Sequence, residues 1–263
     1  MADKGHVKGQ TGIDITESRT GGTNTSRGRR LPLRTVATVT HSLRLILASA
    51  SPARLKTLRA AGLDAEVIVS GIDESTITDR DPELLSGTLA RLKAEAVAST
   101  LADGRSDALV LGCDSVLAFN GGALGKPADA AEAVERWRAL RGASGVLYTG
   151  HCLISMATGQ RTTKVAATTV HFADVTDREI TAYVATGEPL GVAGAFTIDG
   201  LGGPFVERID GDPGTVIGLS LPLLRRLMRS HGVQLTDLWA PGAERSRGLD
   251  GPPATGQGHD GRG

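Results

Sequence analysis

Leu109-Val110-Leu111-Gly112-Cys113-Asp114-Ser115-Val116-Leu117, then Asn120-Gly121-Gly122, then Leu124-Gly125-Lys126-Pro127, is the stretch on which the reading of the chain turns. The apolar, β-type run predicts a buried strand. One carboxylate, Asp114, interrupts it. An unpaired charge inside a sheet costs roughly several kcal/mol, so Asp114 needs a partner, a metal or a cavity mouth. Asn120-Gly121 is a strong hairpin signal, because both residues tolerate the positive φ of a two-residue turn. The hairpin turns the chain back through Lys126, fixed between Gly125 and Pro127, so Asp114 and Lys126 are expected at one end of the sheet. A carboxylate to hold a cation and an ammonium to hold a phosphate are the minimum kit for metal-assisted phosphoryl chemistry. The same residues also read as a structural ion pair, or Asp114 as a strand-end cap, and this stretch alone does not separate the readings.

Bulk properties narrow the field. The chain has 263 residues, enough for one or two domains with a real core. Lys+Arg and Asp+Glu both number 29, and a neutral chain lacks the basic field of a broad nucleic-acid binder. Cys113 and Cys152 lie in apolar strand-like runs and read as buried free thiols. No run approaches the ~20 apolar residues of a membrane span, and the N-terminal residues have no apolar signal core. A cytoplasmic protein with neither membrane nor nucleic acid as partner is the expectation. Residues 1–42 are rich in Gly, Thr, Ser, Arg and Lys without apolar periodicity, and 240–263 look similar. Both read as disordered, with a basic targeting arm at Arg27-Gly28-Arg29-Arg30 the functional alternative for the first. One folded domain is expected over 43–239.

Within that domain, residues 43–48 predict a first strand. Ser49-Ala50-Ser51-Pro52 then opens a helix, with Ser51 as N-cap, Pro52 at the first helical position and Gly62 as the stop. A strand ending in a small-residue loop that opens a helix offers free backbone N–H groups to an anion, and two hydroxyls and Arg54 reinforce it. The alternative is an ordinary β-loop-α turn. A second strand over 66–70 runs into the acidic loop Gly71-Ile72-Asp73-Glu74-Ser75. A helix over 82–101 places Leu85, Leu89, Leu92 and Ala96 on one stripe, which leaves Lys93 on a solvated face. A helix over 129–140 buries Ala133, Trp137 and Leu140. Strands over 146–156 and 164–172 join at Thr158-Gly159. Thr176-Asp177-Arg178-Glu179 is a capping box. Residues 205–209 predict a short strand, 210–214 a tight acidic turn, and 220–231 a closing helix with Leu223, Leu224, Leu227 and Met228 inward. His171 reads as a strand residue on the polar face with no partner apparent. Helices alternating with strands, then clustered strands, predict an α/β fold: a mixed sheet with flanking helices in two lobes around a cleft.

Taken in order, Leu45-Ile46-Leu47-Ala48-Ser49-Ala50-Ser51-Pro52, Asp73-Glu74, Lys93-Ala94-Glu95-Ala96, Gly112-Cys113-Asp114-Ser115 and Leu124-Gly125-Lys126-Pro127 resemble the Maf family of nucleoside triphosphate pyrophosphatases. So do Ala193-Gly194-Ala195-Phe196, Ile209-Asp210-Gly211-Asp212 and Val216-Ile217-Gly218-Leu219. Each piece is weak, but the ordered set over 43–233 is specific. The resemblance implies a two-lobed mixed-sheet fold like that of inosine triphosphate pyrophosphatases. It implies hydrolysis of nucleoside triphosphates, often modified or pyrimidine ones, to monophosphate and pyrophosphate with a divalent cation, Mg2+ or Mn2+. Members are cytoplasmic, often dimerise, and some are linked to arrest of cell division.

By the same resemblance, Asp114 is the catalytic acid and a metal ligand, Asp73 a second metal ligand, and Lys126 the catalytic lysine. Lys93 faces the phosphates, and Ser49, Ser51 and Arg54 form the phosphate loop. Three positions depart from the family pattern. Ala53 stands where many relatives carry arginine, and Ser115 replaces the commoner threonine. Phe196-Thr197-Ile198-Asp199-Gly200 stands where pyrimidine-type relatives show Tyr-x-Ile-Gln-Gly, which unsettles base preference, since one base-edge contact is worth on the order of 1–3 kcal/mol. The implied mechanism is water attack at the α-phosphorus. A non-catalytic nucleotide-binding regulator of septation and a phosphatase acting on the terminal phosphate are the other readings.

Overall fold

The computed structural model of the protein describes residues 43–77, 79–101 and 105–239; the segments expected to be disordered, 1–42 and 240–263, lie outside the described residues. Strand β1 (Arg44–Ala48) leads through residues 49–51 into helix α1 (Pro52–Ala60), and β2 (Ala65–Val67) returns parallel to β1. Ser51 caps α1 as its sequence position predicts, accepting from the Arg54 amide at 3.5 Å. Helix α2 (Pro82–Thr100), capped by Asp81, leads to the 12-residue strand β3 (Ala108–Phe119), which lies parallel to β1. Asn120 and Gly121 have φ of 48° and 76°, and this tight turn reverses the chain into β4 (Gly122–Leu124), as expected.

Helix α3 (Ala130–Leu140) precedes the hairpin of β5 (Ser144–Ser155) and β6 (Arg161–Phe172). Helix α4 (Asp177–Ala185), with its predicted capping box, strand β7 (Val206–Asp210) and helices α5 (Pro213–Ile217) and α6 (Leu221–Ser230) complete the domain. The seven strands form one mixed sheet in the order β2-β1-β3-β5-β6-β7, with β4 also on β3.

Side chains alternate across a strand, so β3 serves two faces. Leu109, Leu111 and Cys113 join Leu45, Leu47, Leu58 and the α6 residues Leu223, Leu224, Leu227 and Met228 in one core. Ala108 and Val110 point the other way, toward Ala90, Ala94 and Val97 of α2. Farther along the same strands, Leu117, Leu147, Val170 and Phe172 pack with Trp137 of α3 and Ile180 and Tyr183 of α4. Trp137 meets Phe172, Tyr183 and Phe205 edge-on at 5.5–5.8 Å and donates to the Ala195 carbonyl. The core thus comprises three clusters, two on opposite faces of β1 and β3 and a third farther along β3, β5 and β6, in the mixed sheet with flanking helices that was expected. Cys113 and Cys152 are buried free thiols, and burial pushes the Cys113 thiol up to about 12.

Helix α2 departs from its expected stripe. The residues it buries are Ser86, Gly87, Leu89, Ala90, Lys93, Ala94 and Val97. The reason lies in the sheet. A Cβ on Gly112 of β3 would stand 2.1 Å from the Ala90 carbonyl oxygen, and one on Gly150 of β5 would stand 2.1 Å from that of Ser86. The helix backbone therefore lies directly on the sheet backbone, so its small residues and not its leucines make the contact. Lys93 is drawn in with them and is 7% exposed, where the spacing alone predicts a solvated lysine. Residues 213 and 214, expected to close the 210–214 turn, instead open α5, with Asp212 as its N-cap.

Gly112→Ala and Gly150→Ala each force α2 off the sheet and are expected to cost about 1–3 kcal/mol or more in urea unfolding. Gly191→Ala, where nothing lies within 4 Å of an added Cβ, is the control and stays within about 0.5 kcal/mol of the parent.

Candidate active site

Strand β3 carries two partners along one edge. Strand β1 pairs with residues 108–112 and β4 with 117–119, so positions 113–116 have no strand partner on that edge among the described residues. At about 3.3 Å per residue, the five steps from Gly112 to Leu117 open a gap of about 17 Å. Because β1 is parallel and β4 antiparallel to β3, the carboxyl ends of both strands point into it. Residues 49–51 enter from one end and Gly125-Lys126 from the other. Clefts beyond strand carboxyl ends, at the point where connections diverge, are where open α/β sheets bind ligands.

Asp114 lies in this gap on the α2 face of β3. Lys93 Nζ stands 2.5 Å from Asp114 Oδ1 and 2.8 Å from Glu74 Oε1. Both members of the inner pair are nearly buried, their side chains 9% and 10% exposed, while Glu74 on the loop is half exposed. Burial pushes the Asp114 carboxyl above its ordinary range, although Lys93 and Arg54 pull it down. Hence Lys93, not Lys126, is the ionic partner that Asp114 requires. The loop carboxylate that reaches Lys93 is Glu74, one residue after Asp73. Asp73 is exposed, and its carbonyl accepts from Thr76 Oγ1 at 2.9 Å. Glu74 was legible only as part of the acidic loop, because its spacing from Lys93 carries no signal until the loop folds over α2.

Ser49, Ser51 and Arg54 assemble on the opposite face. Arg54 is 8% exposed. Its Nε donates to the Gly218 carbonyl (2.8 Å), Nη1 to Ser49 Oγ (2.9 Å) and Nη2 to Ser115 Oγ (3.1 Å). Behind it a buried polar chain crosses the sheet, from Ser115 Oγ to Thr149 Oγ1 (2.9 Å) and on to the Thr215 carbonyl (2.8 Å). His151, which sequence reasoning passed over, is fully buried beside this chain. Its Nδ1 lies 3.0 Å from the Thr149 carbonyl and its Nε2 accepts from the Ser220 amide at 2.9 Å. Burial lowers it to about 4, so the ring is neutral, with the proton on Nδ1.

Lys126 is exposed at the mouth of the gap and forms no ion pair among the described residues. Its approach is set by the Gly125 carbonyl, which accepts from Arg136 Nη1 at 2.6 Å and from the Gly194 amide at 3.0 Å. The loop that carries Asp199 is held by one carboxylate. Glu188 accepts from Tyr183 Oη (2.9 Å), Thr197 Oγ1 (2.5 Å) and the amides of Leu201 and Gly202 (both 3.0 Å). Asp199 Oδ2 stands 3.9 Å from Lys56 Nζ, which ties this loop to the helix that carries Arg54. His171 does have partners, Ser144 Oγ at 2.7 Å and Asp210 Oδ2 at 2.8 Å, but Arg208 lies 3.0 Å from the same Nε2 that faces Asp210. That cluster lies at the far end of the sheet from Asp114.

These features define an α/β protein with a mixed sheet and a cleft of paired acids and cations at its strand switch point. The chain belongs to the Maf-like protein family, whose model matches residues 44–231. It is 61% identical over 201 residues to a nucleoside triphosphate pyrophosphatase of Salinispora tropica, covering 76% of this chain and 89% of that one. Identity to the Streptomyces coelicolor protein of the same name is 57% over 198 residues, 75% and 95% of the two chains. A Microcystis aeruginosa protein, again so named, is 51% identical over 198 residues, 75% of this chain and all of its own. No helix among the described residues is long and apolar enough to cross a membrane.

Lys93→Met strands the Asp114 carboxylate in the core and is expected to cost about 3 kcal/mol near neutral pH, measured by urea unfolding. His151 has its own signature. The unfolded chain protonates it near 6.5 and the folded chain only near 4, so its contribution is full above 6.5 and is lost as pH falls toward 4. The loss amounts to roughly 3 kcal/mol. Stability curves of the parent and His151→Gln are expected to converge over that range as pH falls.

Proposed function

We propose that this chain is a nucleoside triphosphate pyrophosphatase. It is a hydrolase that cleaves the α–β phosphoanhydride, releasing pyrophosphate and the nucleoside monophosphate, and it acts in the cytoplasm. The observation that carries the reading is Lys93 held between Asp114 and Glu74 at an open sheet edge, with a hydroxyl-lined helix start on one side and an exposed lysine on the other. The triphosphate lies along the 113–116 gap. Ser49, Ser51 and the Ala53 amide, the first N–H after Pro52, bind its oxygens, and Lys126 and Lys93 offset the negative charge that spreads over the phosphates as the bond breaks.

A divalent cation fits this donor set. Asp114 and Glu74 offer hard oxygen ligands, and an ammonium already sits between them. Mg2+ binds through one or two carboxylates together with substrate phosphates, and Mn2+ takes the same hard oxygen donors. Such an ion, when bound, supplies Lewis-acid polarisation of the phosphoryl oxygens. Asp114 orients the attacking water toward the α-phosphorus. The burial that raises its carboxyl brings it closer to a useful base than a solvent-exposed aspartate. As the water oxygen bonds to phosphorus, the bridging oxygen leaves with pyrophosphate.

Asp114→Asn keeps the shape of the site and removes the charge. With Mg2+ and a panel of nucleoside triphosphates, pyrophosphate release is expected to fall about 100-fold or more, with the fold intact by thermal melt. Turnover near that of the parent would sink the assignment. Chromatography of the products separates this reaction, which yields monophosphate, from removal of the terminal phosphate, which yields diphosphate.

A further inference from the structure

We infer that Arg54 serves the substrate through the Ser49 hydroxyl: together with the Ser51 amide, it makes Ser49 an obligate hydrogen-bond donor to a phosphate oxygen. The inference rests on the pyrophosphatase reading and assigns Arg54 as a positioning residue within it.

A serine hydroxyl has one proton to give and two lone pairs with which to accept. Ser49 Oγ accepts from Arg54 Nη1 at 2.9 Å and from the Ser51 amide at 3.2 Å. Both lone pairs are taken, so the proton can only be donated, and no acceptor among the described residues takes it. Ser49 is 6% exposed and is the first residue beyond β1, where the strand end meets the open edge. A donor fed by a guanidinium is polarised by it, and hydrogen bonds along such a chain strengthen one another. An anionic oxygen is the acceptor that gains most from such a donor.

Ser115 shows the opposite polarity, although Arg54 feeds it too. Thr149 Oγ1 gives its proton to the Thr215 carbonyl, so it must accept from Ser115. The Ser115 proton is therefore committed to the interior, and Ser115 has none for the substrate. Arg54 itself is pinned from three directions, by the Gly218 carbonyl and the two serines, and cannot swing toward a ligand. Its charge reaches the cleft through the hydroxyl at its tip.

The test is a double-mutant cycle on the full-length chain, read on pyrophosphate release and on calorimetric binding of inorganic tripolyphosphate. Ser49→Ala and Arg54→Ala are each expected to lower kcat/KM about 10- to 100-fold. The double variant is expected within about threefold of the worse single, because both remove one interaction. Fold-losses that multiply would show that Arg54 touches the phosphates independently and would overturn the inference. If Arg54→Ala does not fold, Arg54→Lys takes its place in the cycle under the same criterion. Free guanidinium is expected to restore activity to the arginine variant only where Ser49 is present, and equal rescue without Ser49 overturns the inference. A parent chain that releases no pyrophosphate overturns the activity reading instead, and the tripolyphosphate cycle then decides the role of Arg54 alone.

Discussion

Helix α2 rests on the bare backbone of Gly112 and Gly150, and the site is built on that contact. An ordinary helix stands off a sheet by the thickness of two layers of side chains. Here the Ala90 and Ser86 carbonyls occupy the space two Cβ atoms would fill. Lys93 is thereby brought down onto the strand that carries Asp114, and water is excluded from around both. A buried ion pair of this kind adds little net stability, because desolvation cancels much of the attraction. Its presence in the core is understandable as the foundation of a cleft, where a raised carboxyl and a fixed ammonium have chemical uses that a leucine pair lacks.

The second organising feature is the double use of β3. One strand is parallel to β1 in its first half and antiparallel to β4 in its second, which is why two loops far apart in sequence converge on residues 113–116. Each loop is anchored in a different part of the core. Residues 49–51 are tied to Arg54 of α1, and Gly125-Lys126 is tied to Arg136 of α3 and to Gly194. The long strands β3 and β5 run continuously through both parts and set the span of the gap between them.

Much of this was legible in the chain because it is local. The alternation across β3, the Asn120-Gly121 reversal, the Ser51-Pro52 helix start, the Thr176–Glu179 box and the apolar face of α6 are all encoded within a few residues of where they act. The contacts that were not legible join distant segments. Lys93 looked solvated because helical spacing weights large apolar residues, whereas the buried face is chosen by glycines on two other strands. Glu74 gains a role only when its loop crosses α2. His171 finds Ser144 and Asp210 through strand register that no local signal fixes. Residues 213 and 214 looked like the end of a turn because Asp212-Pro213-Gly214 is also a common turn sequence, whereas the structure caps Gly214 with Asp212 and buries Thr215 in a short helix.

The four hydrogen bonds gathered by Glu188 have a consequence for how this scaffold can diversify. They fix the backbone of residues 197–202 without engaging the side chain of Asp199 at its tip. The finger and its fingertip are therefore separable. An exchange of that one side chain gives up its contact with Lys56 but leaves all four of those bonds in place, so this position can vary without the scaffold being rebuilt each time.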